Sequence, residues 1–290
     1  MTIDLTRRRE VRTNDGVTLR YIEAGAGRPL VMIPGWSQTA AEFRENIPAL
    51  AEVSRVIAVD MRGHGESDKP AHGYRISRLA ADLHDLLTAL ELRDVVLLGH
   101  SMGSSIAWCY LETYGAARIG GLVVVDQAPM CVAKPGWTEE DRAAYGVLMP
   151  TPQGAHDLCG MLAGPNAEAE TPGFLGAMFT SGFDSEAFAF VVAENLKLPR
   201  LSAADLLFNH LHTDWRDAIV RITLPTLVIG GEASIFTAAS QRWIADQIPG
   251  AEVDIVPADE GGSHFMFLEN PAHFNARVAE FLAAMPPAAA

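Results

Sequence analysis

The stretch VVLLGHSMGSS, residues 95–105, joins an apolar run directly to the start of a helical pattern. Val95–Leu98 has the length and composition of a buried strand, and Met102–Tyr114 has the apolar spacing of a helix. Between them, Gly99-His100-Ser101-Met102-Gly103 matches the pattern Gly-x-Ser-x-Gly. Glycines on both sides of a serine let two backbones approach closely, so we expect a sharp turn that holds Ser101 above a sheet at a helix N-terminus.

Apolar runs of the same kind recur on both sides of this stretch, and most are continuous rather than alternating. Continuous runs indicate strands that are buried on both faces. Helical patterns separate them, so the chain is predicted to be of the α/β class, with a mostly parallel sheet flanked by helices. A hairpin around Asn14-Asp15-Gly16 is expected to come first. The later runs are Pro29–Ile33, Val56–Val59, Leu122–Val125, Thr226–Ile229 and Val253–Val256.

Two further helical patterns accompany the predicted sheet. One has an apolar stripe from Leu79 to Leu90, and Ser77 is of the residue type that caps a helix start. The other runs from about Ala272 to Ala283, and residues 286–290 after it are expected to fray.

The strand–helix alternation stops in the middle of the chain, between Asp126 and Leu224. This stretch contains helix-like pieces but no comparable strand run, which favours a mainly helical insertion over one end of the sheet. We therefore expect residues 1–126 and 216–290 to form the core, and residues 127–215 to form a helical cap.

The composition argues against several kinds of partner. Lys and Arg total 22 and Asp and Glu total 36, so the formal net charge is −14. Binding to nucleic acid or to an anionic membrane surface depends on clustered cations, so we expect neither partner. The longest apolar runs are strand-sized, far below a membrane span. The oligomeric state stays open, a homo-oligomer included.

The three cysteines, Cys109, Cys131 and Cys159, cannot form a disulfide framework and match no zinc-binding spacing. No apolar stretch follows the arginines at 7–9, so we expect no secretory signal. A reducing compartment, and hence a cytoplasmic location, is the simplest expectation.

At this point the sequence resembles the α/β-hydrolase superfamily. The resemblance covers nearly the whole chain and rests on Pro34-Gly35-Trp36, the Asp60–Asp68 segment, the Ser101 motif and Gly262-Ser263-His264. It is greatest for the branch of small esterases, lactonases and cofactor-free haloperoxidases. The resemblance implies an α/β-hydrolase fold, the chain order nucleophile, acid, histidine, and no cofactor.

His264 is the best candidate for the base that Ser101 needs, because a serine hydroxyl is a weak nucleophile until a base takes its proton. It lies in a loop just after the last predicted strand, and two glycines precede it. His100 is adjacent to Ser101, but its side chain should point away from the turn. His64 lies between two glycines and is expected to be structural.

The carboxylate that orients the catalytic histidine has several candidates in this sequence. Asp126 directly follows a buried strand, at the end where open α/β sheets bind ligands. In many relatives the acid follows the strand after the cap, where this chain has Ser234. We prefer Asp126 as the acid and keep Glu232 as the first alternative. Asp259 or Glu260 is the next choice.

Two backbone N–H groups are expected to form the oxyanion hole. One belongs to Met102, just after the nucleophile, and the resemblance assigns the other to Trp36. Pro34 has no N–H, but the hole needs none from that position. The Trp36 ring either lines an acyl pocket or serves ordinary packing.

One motif resembles a metal site rather than a serine hydrolase site. His210-Leu211-His212-Thr213-Asp214 resembles the H-x-H-x-D core of binuclear zinc hydrolases, but Trp215 stands where a further histidine is needed. We therefore expect no metal. Gly25-Ala26-Gly27 precedes a strand rather than a helix, so a dinucleotide site is also unsupported.

The sequence thus predicts a serine hydrolase that cleaves a small, apolar carboxylic ester or lactone through an acyl-enzyme on Ser101, Asp126 and His264. Relatives that act on epoxides or haloalkanes carry an Asp nucleophile at the turn instead. Perhydrolysis of the haloperoxidase type, hydrolysis of a carbon–carbon bond, a slow-turnover receptor and a pure interaction protein remain as alternatives. Apolar residues of the expected cap either line the substrate cavity or form the cap's own core: Met130, Trp137, Met149, Met161, Phe174, Met178 and Phe179.

Overall fold

The computed structural model describes residues 4–286. The expectation that residues 286–290 fray therefore concerns residues outside this range, apart from Pro286. Within the range eight strands form one sheet, and they are β1 (Arg9–Arg12), β2 (Thr18–Gly25), β3 (Pro29–Ile33), β4 (Arg55–Asp60), β5 (Val95–His100), β6 (Ile119–Val125), β7 (Thr226–Gly231) and β8 (Glu252–Val256). Their order across the sheet is β1-β2-β4-β3-β5-β6-β7-β8. β2 is antiparallel to both of its neighbours, and all other pairs are parallel. The predicted α/β class and the mostly parallel sheet are confirmed.

Helices connect these strands and cover both faces of the sheet. Within the described range they are α1 (Ile47–Leu50), α2 (Ile76–Ala89), α3 (Met102–Tyr114), α4 (Glu139–Tyr145), α5 (Pro152–Leu162), α6 (Ala167–Gly176), α7 (Ser185–Asn195), α8 (Arg200–Leu211), α9 (Arg216–Ile219), α10 (Ala238–Gln247), α11 (Met266–Glu269) and α12 (Pro271–Ala284), with short 3-10 turns at Ala40–Phe43 and Ala258–Glu260. None of these helices has both the length and the apolar composition needed to cross a membrane.

The central strand β5 shows why the apolar runs are continuous. Val95 and Leu97 belong to one buried cluster, which includes the apolar stripes of α2 and α3. Val96 and Leu98 point the other way, into a second buried cluster that includes α12. Since both faces of the strand are covered by helices, every position favours an apolar side chain.

The start of α2 differs from the sequence prediction. The helix begins at Ile76, one residue before Ser77, and its N-cap residue Arg75 makes no side-chain capping bond. The Ile76 N–H instead donates to the Asn209 side chain at 2.8 Å, from α8. A distant side chain therefore satisfies a first-turn donor that a local cap would normally satisfy.

Helices α4–α9 lie between β6 and β7, and we call Glu139–Ile219 the inserted segment. The parallel strands β3, β5, β6 and β7 all end at the same edge of the sheet. The loops that follow these ends, together with the loop after β8, carry the residues singled out from the sequence.

Candidate active site

Ser101 lies at the sharp turn that the Gly-x-Ser-x-Gly pattern predicts. It connects β5 directly to α3, of which it is the N-cap residue. Its backbone has φ 52° and ψ −124°. A positive φ is costly for a residue with a Cβ atom, so the surrounding structure must hold this conformation.

The glycines on either side of Ser101 allow that turn to form. A Cβ atom on Gly99 would lie 2.4 Å from the backbone of Gly103 and Ser104. A Cβ atom on Gly103 would lie 2.2 Å from the carbonyl oxygen of Ile33, at the end of β3. The motif therefore packs a helix start against two strand ends, a contact that no other residue type permits.

We expect Gly103→Ala to destabilise the protein by about 3 kcal/mol, because the new methyl group overlaps backbone that cannot move aside. Gly160→Ala is the matched control: Gly160 is exposed in α5, and nothing within 4 Å would meet its Cβ atom. That change should stabilise the protein by about 0.5–1 kcal/mol. Urea unfolding of the two variants measures the difference, and equal effects would contradict the close-packing argument.

Asp126 and His264 lie together at the carboxyl edge of the sheet. His264 Nδ1 is 2.6 Å from Asp126 Oδ2, and both side chains are almost completely buried. Asp126 directly follows β6 and also has a positive φ, 48°. With Nδ1 bonded to the carboxylate, Nε2 is the nitrogen of His264 that is free to act on another group.

The alternative acids lie elsewhere. Glu232 is exposed, and its carboxylate accepts a hydrogen bond from the Ala258 backbone. Asp259 and Glu260 are also exposed, in the 3-10 turn after β8. Within the described residues the carboxylate that contacts His264 is that of Asp126.

Ser234 supports Asp126 from the loop after β7. Its hydroxyl donates to Asp126 Oδ2, the same oxygen that contacts His264. The Gly231 N–H lies 3.4 Å from the other carboxylate oxygen. Many relatives carry the acid at the position of Ser234. In this chain the residue there instead donates a hydrogen bond to Asp126.

His100 holds the loop that carries His264. Its Nε2–H donates to the His264 carbonyl oxygen at 2.9 Å, and Nδ1 lies 3.0 Å from the Gln38 side-chain amide. The His264 N–H in turn donates to the Met178 carbonyl oxygen at 3.2 Å, in the inserted segment. As predicted, the His100 side chain points away from the turn, and its hydrogen bond fixes the backbone of His264.

Burial lowers the pKa of His264 from 6.5 to about 3. The neighbouring imidazoles of His100 and His210 are also buried, and burial lowers the pKa of each. Desolvation disfavours the charged form of an imidazole. At neutral pH, His264 is therefore neutral and able to accept a proton.

The loop after β3 lies against Ser101. A Cβ atom on Gly35 would be 3.1 Å from Ser101 Cβ, so the peptide between Gly35 and Trp36 passes close to the serine. Met102 is the first residue of α3, and its N–H has no acceptor within the helix. The two amides predicted for an oxyanion hole thus belong to segments that border Ser101.

The same loop is bound to the inserted segment by three side chains. Trp36 Nε1 donates to the Ala203 carbonyl oxygen at 2.7 Å. The Ser37 hydroxyl donates to the Asn195 carbonyl oxygen, and the Thr39 hydroxyl donates to Glu194, each at 2.7 Å. These bonds connect one strand-end loop to α7 and α8.

Ser101 and His264 border one small cavity of about 40 Å³ beneath the inserted segment. Within residues 4–286 no hydrogen bond joins the Ser101 hydroxyl to His264. Of the seven apolar residues that could form a cavity wall, Phe174 and Met178 do so. Trp36 also borders the cavity and makes an edge-on contact with Phe174. The rest of the wall is mainly apolar and includes Leu148, Leu207, Leu211, Ile235 and Phe236.

The histidines of the zinc-like motif do not converge. His210 is buried beside the cavity, whereas His212 is bonded to the Phe208 carbonyl oxygen at the surface. Asp214 is held by Arg216 and Lys134. Among residues 4–286, no group of three His, Cys, Asp or Glu side chains could hold a metal ion.

Comparisons with known proteins identify the family. A family model described as alpha/beta hydrolase fold matches residues 28–149. The non-heme chloroperoxidase CPO-A1 of Kitasatospora aureofaciens is 31% identical over 282 residues, which is 93% of this chain and 98% of the chloroperoxidase. The chain therefore belongs to the α/β-hydrolase family.

Solved structures of similar proteins extend this result. The esterase EaEST from Exiguobacterium antarcticum has a TM-score of 0.85 and 25% identity, over 95% of this chain and 99% of that one. Est816, described as an N-acyl homoserine lactone degrading enzyme, has a TM-score of 0.75 and 27% identity, over 94% and 100%. These similarities support a hydrolytic enzyme that acts on small molecules.

Proposed function

We propose that the protein is a serine hydrolase that cleaves a carboxylic ester or lactone. The main observation is the 2.6 Å contact between His264 and Asp126 at a cavity that Ser101 also borders. A serine on a strained turn, a neutral imidazole and a buried carboxylate are the groups that acyl transfer uses.

In the proposed mechanism, Ser101 Oγ attacks the substrate carbonyl carbon while His264 Nε2 takes the hydroxyl proton. His264 then gives this proton to the departing alkoxide, which leaves an ester bond between the acyl group and Ser101. Water attacks the acyl-enzyme, its proton passes to His264, and the acid leaves as Ser101 regains its proton. The hydrogen bond from Ser101 to His264 forms when substrate binds, as catalytic hydrogen bonds often do.

Asp126 keeps the Nδ1 proton on His264 and stabilises the imidazolium that each step creates. The Trp36 and Met102 amides donate to the carbonyl oxygen as it becomes negative. Preorganised amide donors of this kind are worth roughly 3–4 kcal/mol each in transition-state stabilisation.

The inserted segment up to residue 215, together with residues 127–138 before it, acts in this proposal as a cap over the core. Residues 127–215 would form the cap and residues 1–126 and 216–290 the core. The apolar wall favours a small, apolar acyl or alcohol group, because such surface gains most from leaving water.

Perhydrolysis is the second candidate, and the similarity to a protein named chloroperoxidase favours it. In this reaction hydrogen peroxide replaces water as the attacking group on the acyl-enzyme. The product is then a peracid, and every protein group keeps the role described above.

Labelling with a fluorophosphonate tests the shared first step. A single adduct that maps to Ser101 supports an activated serine, and the absence of labelling on folded protein would contradict it. A panel of short- and medium-chain esters and lactones, with and without peroxide, then separates hydrolysis from perhydrolysis by its products.

The pH profile tests the state of His264. Because burial lowers the pKa of His264, its basic form persists in acid, so kcat/KM should fall by clearly less than tenfold between pH 7.5 and pH 5.5. An imidazole with the ordinary pKa of about 6.5 would lose roughly tenfold over this range. Circular dichroism at each pH checks that the fold is intact, and a tenfold loss with intact fold would contradict the prediction.

A further inference from the structure

His210 is the member of the cavity wall that packing does not explain. It lies in the last turn of α8 and is 4% exposed. The cavity wall to which it belongs is mainly apolar and includes Leu207 and Leu211 on the same helix and Phe236 from the loop after β7. Among the described residues, no group forms a hydrogen bond with His210 Nδ1.

An unpartnered imidazole nitrogen in such a place is unfavourable for the folded protein, because it gives up water without gaining another partner. A leucine, as at positions 207 and 211, would fill similar space without that cost. A bound group that forms a hydrogen bond with Nδ1 would remove the cost. Buried polar groups that break a local packing rule often lie at functional sites.

The charge state of the ring limits what that group can be. Burial, with a smaller contribution from the nearby His264, lowers the pKa of His210 to about 4. At neutral pH the ring is therefore neutral, with one N–H donor and one acceptor nitrogen. A charged group would also lose its hydration against this mainly apolar wall, so the site suits a hydroxyl, ether, carbonyl or amide group better than a carboxylate or an ammonium.

We infer that His210 is a specificity-determining residue that hydrogen-bonds an uncharged polar group of the substrate, away from the carbonyl that Ser101 attacks. The inference rests on the proposed ester or lactone hydrolysis and narrows its substrate class. The preferred substrate is mainly apolar and carries one further oxygen or amide within reach of α8.

The test compares matched esters that differ by one ether oxygen. Methyl hexanoate and hexyl acetate are the parents, and an ether oxygen replaces the methylene at C3, C4 or C5 of the six-carbon chain, so that the ester group itself is unchanged. The wild type should prefer at least one ether analogue over its parent, and His210→Leu should reduce that preference in kcat/KM by about tenfold. Inductive effects cancel, because the same two substrates are compared in both proteins.

Two further variants separate hydrogen bonding from shape. His210→Gln keeps a donor and an acceptor and should restore part of the preference. Leu207→Val changes the cavity volume without removing a polar group, so it should affect an ether and its parent alike. His210→Leu should unfold at the same temperature as the wild type or higher, whereas a purely structural histidine would lower that temperature.

The outcomes distinguish this inference from the proposed function. If esters are cleaved but His210→Leu keeps the wild-type preference, the inference is overturned and the hydrolase proposal stands. If the wild type cleaves no ester or lactone of the panel, the hydrolase proposal fails. Calorimetry of the same pairs on Ser101→Ala then decides, and equal affinity for ether and parent overturns the role of His210.

Discussion

Replacing Ser101 with alanine should lower kcat for an ester substrate by about 10⁴–10⁶-fold while the fold stays intact. The hydroxyl is the attacking group in the proposal, and none of the neighbouring groups can replace it. The turn itself places the residue there, because β5 ends and α3 begins on either side of it. Steady-state kinetics and fluorophosphonate labelling measure the effect, and we expect ester turnover and labelling to be lost together.

Ser105→Ala provides the matched control on the same helix. The Ser105 hydroxyl is buried and has no hydrogen-bond partner among the described residues, so its loss should change kcat by less than about twofold. Both variants should show the same thermal transition within a few degrees. Near-normal turnover by Ser101→Ala would exclude Ser101 as the nucleophile.

Asp126→Asn should lower kcat by about 10³–10⁴-fold, since an amide cannot hold the Nδ1 proton on His264 as a carboxylate does. The replacement preserves size, and the Ser234 hydroxyl can still donate to the remaining oxygen. KM should change far less than kcat, because the acid does not border the cavity wall.

Glu232→Gln is the control for this second prediction. Glu232 follows β7, the strand after which many relatives carry the acid, and its carboxylate contacts the Ala258 backbone at the surface. Its replacement should leave kcat within about twofold. The reverse result, a large loss at Glu232 and a small loss at Asp126, would contradict the assignment of the acid.

Much of the fold is predictable because each signal is local. The run Val95–Leu98 is apolar at every position because both faces of the strand are buried. The glycines around Ser101 are needed where two backbones approach closely, so the residue types alone indicate that contact. The position of Asp126 at a strand end likewise follows from the parallel sheet, so its approach to His264 could be anticipated.

The remaining features depend on side chains from distant parts of the chain. The predicted cap of α2, Ser77, lies two residues after the observed cap, Arg75, because the partner of the first helical N–H is Asn209 on the distant helix α8. The support that Ser234 gives to Asp126 has no local signature. For His210 a signal did exist: it lies three residues after Leu207, on the stripe of α8 that begins at Ala203, which marks an inward-facing position.

The three hydrogen bonds from the loop after β3 to the inserted segment couple access to chemistry. A cavity of about 40 Å³ holds a few water molecules, so we expect the inserted segment to move before a substrate of the proposed class can enter. The measured affinity is then the intrinsic affinity multiplied by the fraction of open molecules. Opening the segment would also break the bond from the Trp36 indole, so, with Trp36 in its proposed oxyanion-hole role, a variant that opens more readily should bind more tightly yet react more slowly.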